Sequence, residues 1–123
     1  MASIIPVDVS RHSIDLFKDL SLQPRERKPG PPERIDGMTV GILTMTNDAP
    51  HGGEVHPDGD ELLYVISGRL RVVAESDPEA ELILQAGQAC IVPKGEWHKV
   101  SVLEETQLIH ITPGPNGDHR PLA

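Results

Sequence analysis

The sequence predicts an all-β protein, either an antiparallel sandwich or a barrel, from two observations. Short apolar runs recur at near-regular spacing, and glycines and acidic turns separate them. No long helical pattern lies between these runs, which is typical of antiparallel sheets that fold back on themselves. The predicted strands are 38–46, 53–56, 61–66, 69–74, 81–84, 89–92, 98–103 and 107–112.

Two further elements are predicted before the first of these strands. Ser13 can cap a helix that continues through Asp15 to Leu20, with apolar residues at helical spacing, so a short N-terminal helix is expected. The proline-rich segment 24–32 can form neither a helix nor a central strand, because proline lacks a backbone donor and the charged side chains resist burial. We expect an extended arm or a covering loop there.

The length, charge and composition of the chain exclude several classes of protein. A chain of 123 residues is sufficient for one domain with its own core. Its net charge of −8 would repel nucleic acid and anionic lipid, and no apolar run is long enough to span a membrane or to act as a secretion signal. The single cysteine, Cys90, lies in an apolar run and is expected in the core. These features predict a cytoplasmic protein whose partner is a small molecule.

Four residues have the spacing of a metal site. Glu54 and His56 are two positions apart, so on a strand both side chains leave the same face. Glu61 follows a Pro-Asp-Gly-Asp turn that folds the chain back, with Asp60 as the competing carboxylate if the turn is shorter. His98 would complete the set from the second half of the chain. Buried imidazoles and carboxylates are costly unless they are paired or bound to a cation.

These residues fall on two motifs that resemble those of the cupin superfamily, in particular its small single-domain members. His56, Glu61 and Gly68 match the first cupin motif, and the second motif matches at Gly87, Pro93, Gly95 and His98. Two positions depart from the pattern: Glu54 replaces the first histidine of the motif, and Val102 replaces an asparagine that often ends the second motif. The resemblance covers residues 38 to 113.

The resemblance implies a double-stranded β-helix, or jelly-roll, barrel over residues 38–113. The N-terminal helix and proline-rich arm would occupy residues 1–37, and a C-terminal tail would occupy residues 114–123. It also implies one divalent metal ion per chain, Fe, Mn, Zn or Ni, bound by Glu54, His56, Glu61 and His98.

Several functions are compatible with such a site. We expect first a metal-dependent, dioxygenase-like oxidoreductase that acts on a small oxygen-rich molecule. The alternatives are a cupin isomerase or epimerase, a non-catalytic module that binds a metal or small molecule, and an interaction domain with an empty barrel. The last would leave the imidazoles and carboxylates buried without a cation, which is energetically expensive.

Other features remain open at this level. His51 could replace the missing motif histidine only if Gly52 and Gly53 break the strand, because an odd separation from His56 points the two rings to opposite faces. His110 could face the interior from the last strand, or it could be a hydrogen-bonded core residue. Trp97 is expected to pack away from His98, and no place can be assigned to His119 or Arg120.

The strand that begins at Glu61 is apolar on both faces. If Glu61, Leu63 and Val65 face the interior, Leu62, Tyr64 and Ile66 face outward. A strand that is apolar on both faces must be covered on both, either by another sheet of the chain or by another subunit. This pattern favours a homodimer.

Overall fold

The structure, a computed structural model, describes residues 3–30 and 33–123 as nine β-strands, with no helix among these residues. The all-β class is therefore confirmed. The strands are β1 (His12–Phe17), β2 (Leu22–Glu26), β3 (Gly37–Met45), β4 (Glu54–Val55), β5 (Glu61–Ala74), β6 (Asp77–Gln85), β7 (Ala89–Val92), β8 (His98–Pro113) and β9 (Asp118–His119). Accordingly, nothing in the described part of the chain is a helix of the length and apolarity that crossing a membrane requires.

The strands pair antiparallel throughout, around two long central strands. β5 and β8 pair from Leu62, opposite Ile111, to Ala74, opposite His98. β5 also pairs with β6 and β7, whereas β8 pairs with β3 and β4. The remaining strands extend this arrangement in the order β2-β1-β3-β8-β4-β9.

Each central strand was predicted as two shorter ones, divided near Gly68 and near residues 104–106. In the structure the two predicted halves form one continuous strand in each case, β5 and β8. The register of β5 against β8 shifts between residues 65 and 70 of β5. Gly68 has a φ of 93°, and a Cβ there would collide with the backbone oxygen of Glu105. Gly68 thus allows the chain to bend within the sheet without ending the strand.

The core lies on the inner face of β5 and of the strands beside it, β6, β7 and β8. Glu61, Leu63 and Val65 are buried, whereas Leu62 and Tyr64 are partly exposed and Ile66 is exposed, which confirms the predicted faces of β5. The buried apolar cluster is Leu63, Val65, Leu70, Val72, Leu84, Val92 and Leu108. Cys90 is a free thiol that is partly buried against this cluster.

The predicted N-terminal helix is wrong. Residues 12–17 form β1, which pairs with β2 on one side and β3 on the other. Asp15 is buried and accepts hydrogen bonds of 2.9 Å from both Nε and Nη2 of Arg25 on β2. This pairing with distant residues overrides the local helical pattern, because tertiary contacts contribute more than intrinsic propensity.

The proline-rich segment begins as an edge strand. Pro24 lies in β2, opposite Ile14. Because β2 is the last strand of the sheet, proline is tolerated there although it has no backbone N–H group to donate to a further strand. Residues 27–30 line part of a cavity described below. Pro31 and Pro32, at the end of the predicted arm, lie outside the described residues.

Candidate metal centre

The four residues predicted as metal ligands come together at one end of the barrel. Glu54 lies on β4, and His56 follows that strand directly. Glu61 and His98 are the first residues of β5 and β8. The two-residue strand β4 places Glu54 directly opposite His98. Asp60, the competing carboxylate, instead accepts a hydrogen bond of 2.7 Å from the backbone N–H of Lys94 in the adjoining turn.

Their donor atoms converge on a single point. Glu61 has one carboxylate oxygen 3.1 Å from Nε2 of His98 and the other 3.3 Å from Nε2 of His56. Glu54 Oε1 is 3.4 Å from His98 Nε2 and 3.7 Å from His56 Nε2. One nitrogen or oxygen atom of each residue lies within 4.8 Å of the others, close enough for one ion to contact all four.

Burial makes this cluster unusual. The side chains of His56, Glu61 and His98 are 4%, 3% and 1% exposed, whereas that of Glu54 is 26% exposed. Solvent or a ligand therefore reaches the cluster from the side of Glu54.

His56 provides the test of whether a metal fits. Both of its ring nitrogens are buried, and neither has a hydrogen-bond partner within the described residues. Native proteins rarely leave such atoms unsatisfied, because the lost hydration is costly. An ion at the centre of the cluster would satisfy Nε2, so the donor set fits a divalent cation.

The surrounding hydrogen bonds fix the side chains of two other candidate ligands, His98 and Glu61. Nδ1 of His98 donates to the backbone oxygen of Glu96 at 3.0 Å, which leaves Nε2 of the neutral ring free to bind a cation. The Thr112 hydroxyl donates to Glu61 Oε2 at 2.6 Å and accepts from Nδ1 of His110 at 2.7 Å. His110 and Thr112 thus hold Glu61 through a short hydrogen-bonded chain.

His110 faces the interior, one of the two positions that the sequence left open. It lies opposite Gly41 of β3, and a Cβ at Gly41 would collide with the imidazole ring. Burial lowers the pKa of His110 more than the nearby Glu61 and Glu54 raise it, so the ring is neutral at neutral pH.

Without a metal, the cluster is held by charge. Burial alone would lower the pKa values of His56 and His98, but the carboxylates of Glu54 and Glu61 outweigh it and raise them to about 9 and about 10. Burial alone would raise the pKa values of Glu54 and Glu61, yet the two imidazoles lower them. Two imidazolium and two carboxylate groups therefore compensate one another, and a metal must displace the protons of both histidines.

A cavity of about 620 Å³ opens beside the cluster. Its apolar walls include Leu43, Met45, Leu63 and Leu108, and the four candidate ligands form part of its lining. The volume suits a small organic molecule. The arrangement therefore combines a group of possible metal ligands with room for a ligand beside it.

The tail contributes a histidine that sequence reasoning did not place. β9 pairs with β4, so His119 lies opposite Glu54, with Nε2 of His119 3.9 Å from Oε2 of Glu54. The His119 ring also lies against the ring of His51, with centroids 4.0 Å apart. Hence His51 joins His119 and Glu54 in a second group of possible ligands, and it is not part of the first.

Other tail contacts hold β9 in place. Arg120 forms two hydrogen bonds with Glu75, of 2.6 and 2.9 Å, and its guanidinium lies 3.9 Å from the centroid of the Trp97 ring. Trp97 therefore packs against the tail, while the adjacent His98 faces the cluster. A strand of two residues has no periodic pattern, so the sequence carried no signal for this contact.

Comparisons with known proteins agree with the fold and the motifs. No curated protein matches the chain. A cupin-2 domain containing protein from Shewanella frigidimarina is 26% identical, with a TM-score of 0.54 over 63% of this chain and 71% of that one. A protein from Neisseria meningitidis, 20% identical, has a TM-score of 0.54 over 72% of this chain and 88% of that one, which supports the fold alone.

A variant of oxalate decarboxylase from Bacillus subtilis is also similar. It is 25% identical, with a TM-score of 0.55, and the match covers 67% of this chain but only 23% of that one. The profile of the cupin domain matches residues 42–112, which is more than half of this chain and includes β5 to β7 and all of β8 except its last residue. The chain belongs to the cupin domain family, and its barrel has the cupin fold.

Proposed function

We propose that this cupin is a metal-dependent enzyme, dioxygenase-like in its chemistry, that acts on a small oxygen-rich molecule. The observation that carries the proposal is the convergence of Glu54, His56, Glu61 and His98, where the buried nitrogens of His56 have no hydrogen-bond partner among the described residues. A purely structural cluster would be expected to satisfy those atoms.

The ligand set suits Fe, Mn, Zn or Ni, with Glu54, His56, Glu61 and His98 holding one ion. A bound divalent cation would polarise a carbonyl, enol or carboxylate oxygen of a substrate, or activate dioxygen. Two carboxylate ligands would offset the charge of the cation, which favours its higher oxidation states over strong Lewis acidity.

The protein residues have distinct roles in this proposal. His98 and Glu61 are fixed by Glu96 and by Thr112, so they would hold the ion rigidly. Glu54 is the more exposed ligand and borders the cavity, so a substrate would approach beside it. The aliphatic walls would limit access of water to the reacting groups.

The experiment that tests the proposal is metal analysis of protein purified without chelator or added metal. About one equivalent of a transition metal is expected. The protein reconstituted with Fe(II) should then consume oxygen with at least one small diol, enol or hydroxy acid, and His98→Ala should not. Metal binding without turnover under Fe, Mn or Ni would favour the binding module, and turnover without oxygen would favour an isomerase.

We also propose that the protein is a homodimer, on the basis of its outer sheet face. One apolar row crosses five neighbouring strands, each residue directly opposite the next in register: Ile91, Leu62, Ile111, Val40 and Ile14. Ile91 is 67% exposed, and the other four are only partly buried. A continuous apolar face of this kind is unusual on a monomer, and a second copy related by two-fold symmetry would cover it.

A further inference from the structure

Arg34 occupies an unusual position beside the cluster. It lies in the segment before β3, and its Nη2 donates to Nε2 of His119 at 3.2 Å. The guanidinium also lies against Gly117, where an added Cβ would collide with Nη1. His119 in turn lies 3.9 Å from Glu54, so a single imidazole separates Arg34 from a candidate metal ligand.

Within the part of the chain that the structure describes, no carboxylate forms an ion pair with Arg34. Arg25, on the same cavity wall, is instead paired with the buried Asp15. A buried or half-buried cation without a partner is a candidate for binding an anion.

The rest of the cavity wall carries both signs, with basic residues in excess. Although the chain is acidic overall, five of its 11 basic residues line this cavity, namely Arg25, Arg27, Lys28, Arg34 and Lys99. Four carboxylates also line the cavity, those of Glu26, Glu33, Glu54 and Glu61, and a divalent cation would offset the last two. With metal bound, five basic residues of the lining would face two carboxylates that the ion does not offset, so the lining would be positive overall.

This inference rests on the proposed metal site. We propose that Arg34 binds a carboxylate group of the substrate, and that His119 and Gly117 position it for this role. The substrate class would then be small carboxylic acids with a second oxygen function that reaches the metal. The planar fork of a guanidinium matches the two oxygens of a carboxylate, and the aliphatic walls suit a short carbon chain.

A second metal ion is the competing interpretation, because His51, Glu54 and His119 can also surround a cation. One contact opposes it, because Arg34 already donates to Nε2 of His119. A cation at this point would also be repelled by the guanidinium.

The test compares malonate with its neutral analogue malonamide, on protein loaded with Mn(II), by isothermal titration calorimetry. Wild type is expected to bind malonate at least about 10-fold more tightly than malonamide. Arg34→Gln should lose roughly 10- to 100-fold of the malonate affinity and leave Mn(II) affinity unchanged. Arg71→Gln, on the outer side of β5, is the matched control and should behave as wild type.

Gly117→Ala provides a second and independent variant. Its methyl group would displace only the end of a flexible side chain, so the fold should persist while Arg34 moves away. Malonate affinity should fall in this variant although every charge is retained. Equal binding of malonate and malonamide, or unchanged malonate affinity in both variants, would overturn the inference.

Metal stoichiometry separates the remaining outcomes. Two equivalents of Mn(II) in wild type, reduced to one in His119→Ala, would replace the anion site with a second metal site. Wild-type protein that binds no metal would overturn the proposed function. In that case an Arg34-dependent preference for malonate over malonamide in the metal-free protein would still support the anion site.

Discussion

Glu54 and His98 face each other across β4 and β8, with Oε1 of Glu54 3.4 Å from Nε2 of His98. The motif that this chain resembles has a histidine at the position of Glu54, so the replacement introduces a carboxylate at the point where the two strands meet. The side chain nevertheless points into the cluster.

Glu54→Gln should therefore weaken metal binding by about 10–100-fold or more, because the amide retains the shape but loses the charge. Glu54→His should bind metal with a different preference, since it restores two imidazoles from one strand. Competition with a chelator of known affinity measures both effects. Glu79→Gln, at an exposed position of β6, is the matched control. Unchanged affinity in Glu54→Gln would leave a site with three ligands.

Metal affinity should rise with pH well above the usual range of histidine titration. The protons on His56 and His98 compete with the ion until the pH approaches their raised pKa values of about 9 and about 10. Affinity should increase by between about 10- and 100-fold per pH unit from pH 6.5 to 8.5, for one or two protons displaced. Calorimetry in buffers of different ionisation enthalpy counts the released protons. A count of zero would contradict the ion-paired cluster.

The metal-free protein should show the opposite trend at high pH. Because the folded pKa values of His56 and His98 are raised, their contribution to stability is complete below about pH 6.5 and is lost as the pH rises through about 9 to 10. The lowered pKa values of Glu54 and Glu61 contribute stability above about pH 4.5 that is lost in acid. The difference in melting temperature between metal-loaded and metal-free protein should thus widen from pH 6.5 to 9.

Thr112→Val should weaken the metal site without contacting it. The variant keeps the shape of the side chain but removes the hydroxyl between His110 and Glu61, so Glu61 loses a donor and His110 loses an acceptor. Metal affinity should fall by about 10-fold or more, and Thr112→Ser should restore most of it. Serine keeps the hydroxyl group but lacks the methyl group. An equal loss of metal affinity in Thr112→Ser would therefore show that the effect comes from packing of the methyl group.

Ile91→Glu tests the proposed dimer. Ile91 lies at one end of the apolar row and is largely exposed in the single chain, so the carboxylate should be tolerated by the monomer fold. In a dimer it would bury a charge at the interface, and sedimentation equilibrium should shift to the monomer mass. Glu79→Gln should leave the mass unchanged. A monomeric wild type would overturn the proposal directly.

The sequence predicted the parts of the fold and site that depend on local patterns. Alternation on β5 assigned Glu61, Leu63 and Val65 to the interior, and the even separation of Glu54 and His56 assigned them to one face. These inferences succeeded because a strand has a period of two and because one face of each strand is buried. Ligation of a metal by these residues remains a prediction.

The parts that failed depend on partners far along the chain. The segment at Ser13 has a helical pattern, but Asp15 is held by Arg25 and by pairing on both sides of β1. His119 was unplaced because β9 has only two residues, and its position follows from pairing with β4. Neither contact has a sequence period, so only the assembled sheet reveals it.

The anchoring of the tail has a consequence for Glu54, the candidate metal ligand beside it. β4 has only two residues and lies between β8 and the tail, whose Arg120 N–H donates a hydrogen bond of 3.2 Å to the backbone oxygen of Gly53, just before β4. Arg120 is itself held by Glu75 in a partly exposed ion pair, which salt weakens. A rise in ionic strength should therefore loosen the tail next to Glu54, which is the most exposed of the four candidate ligands.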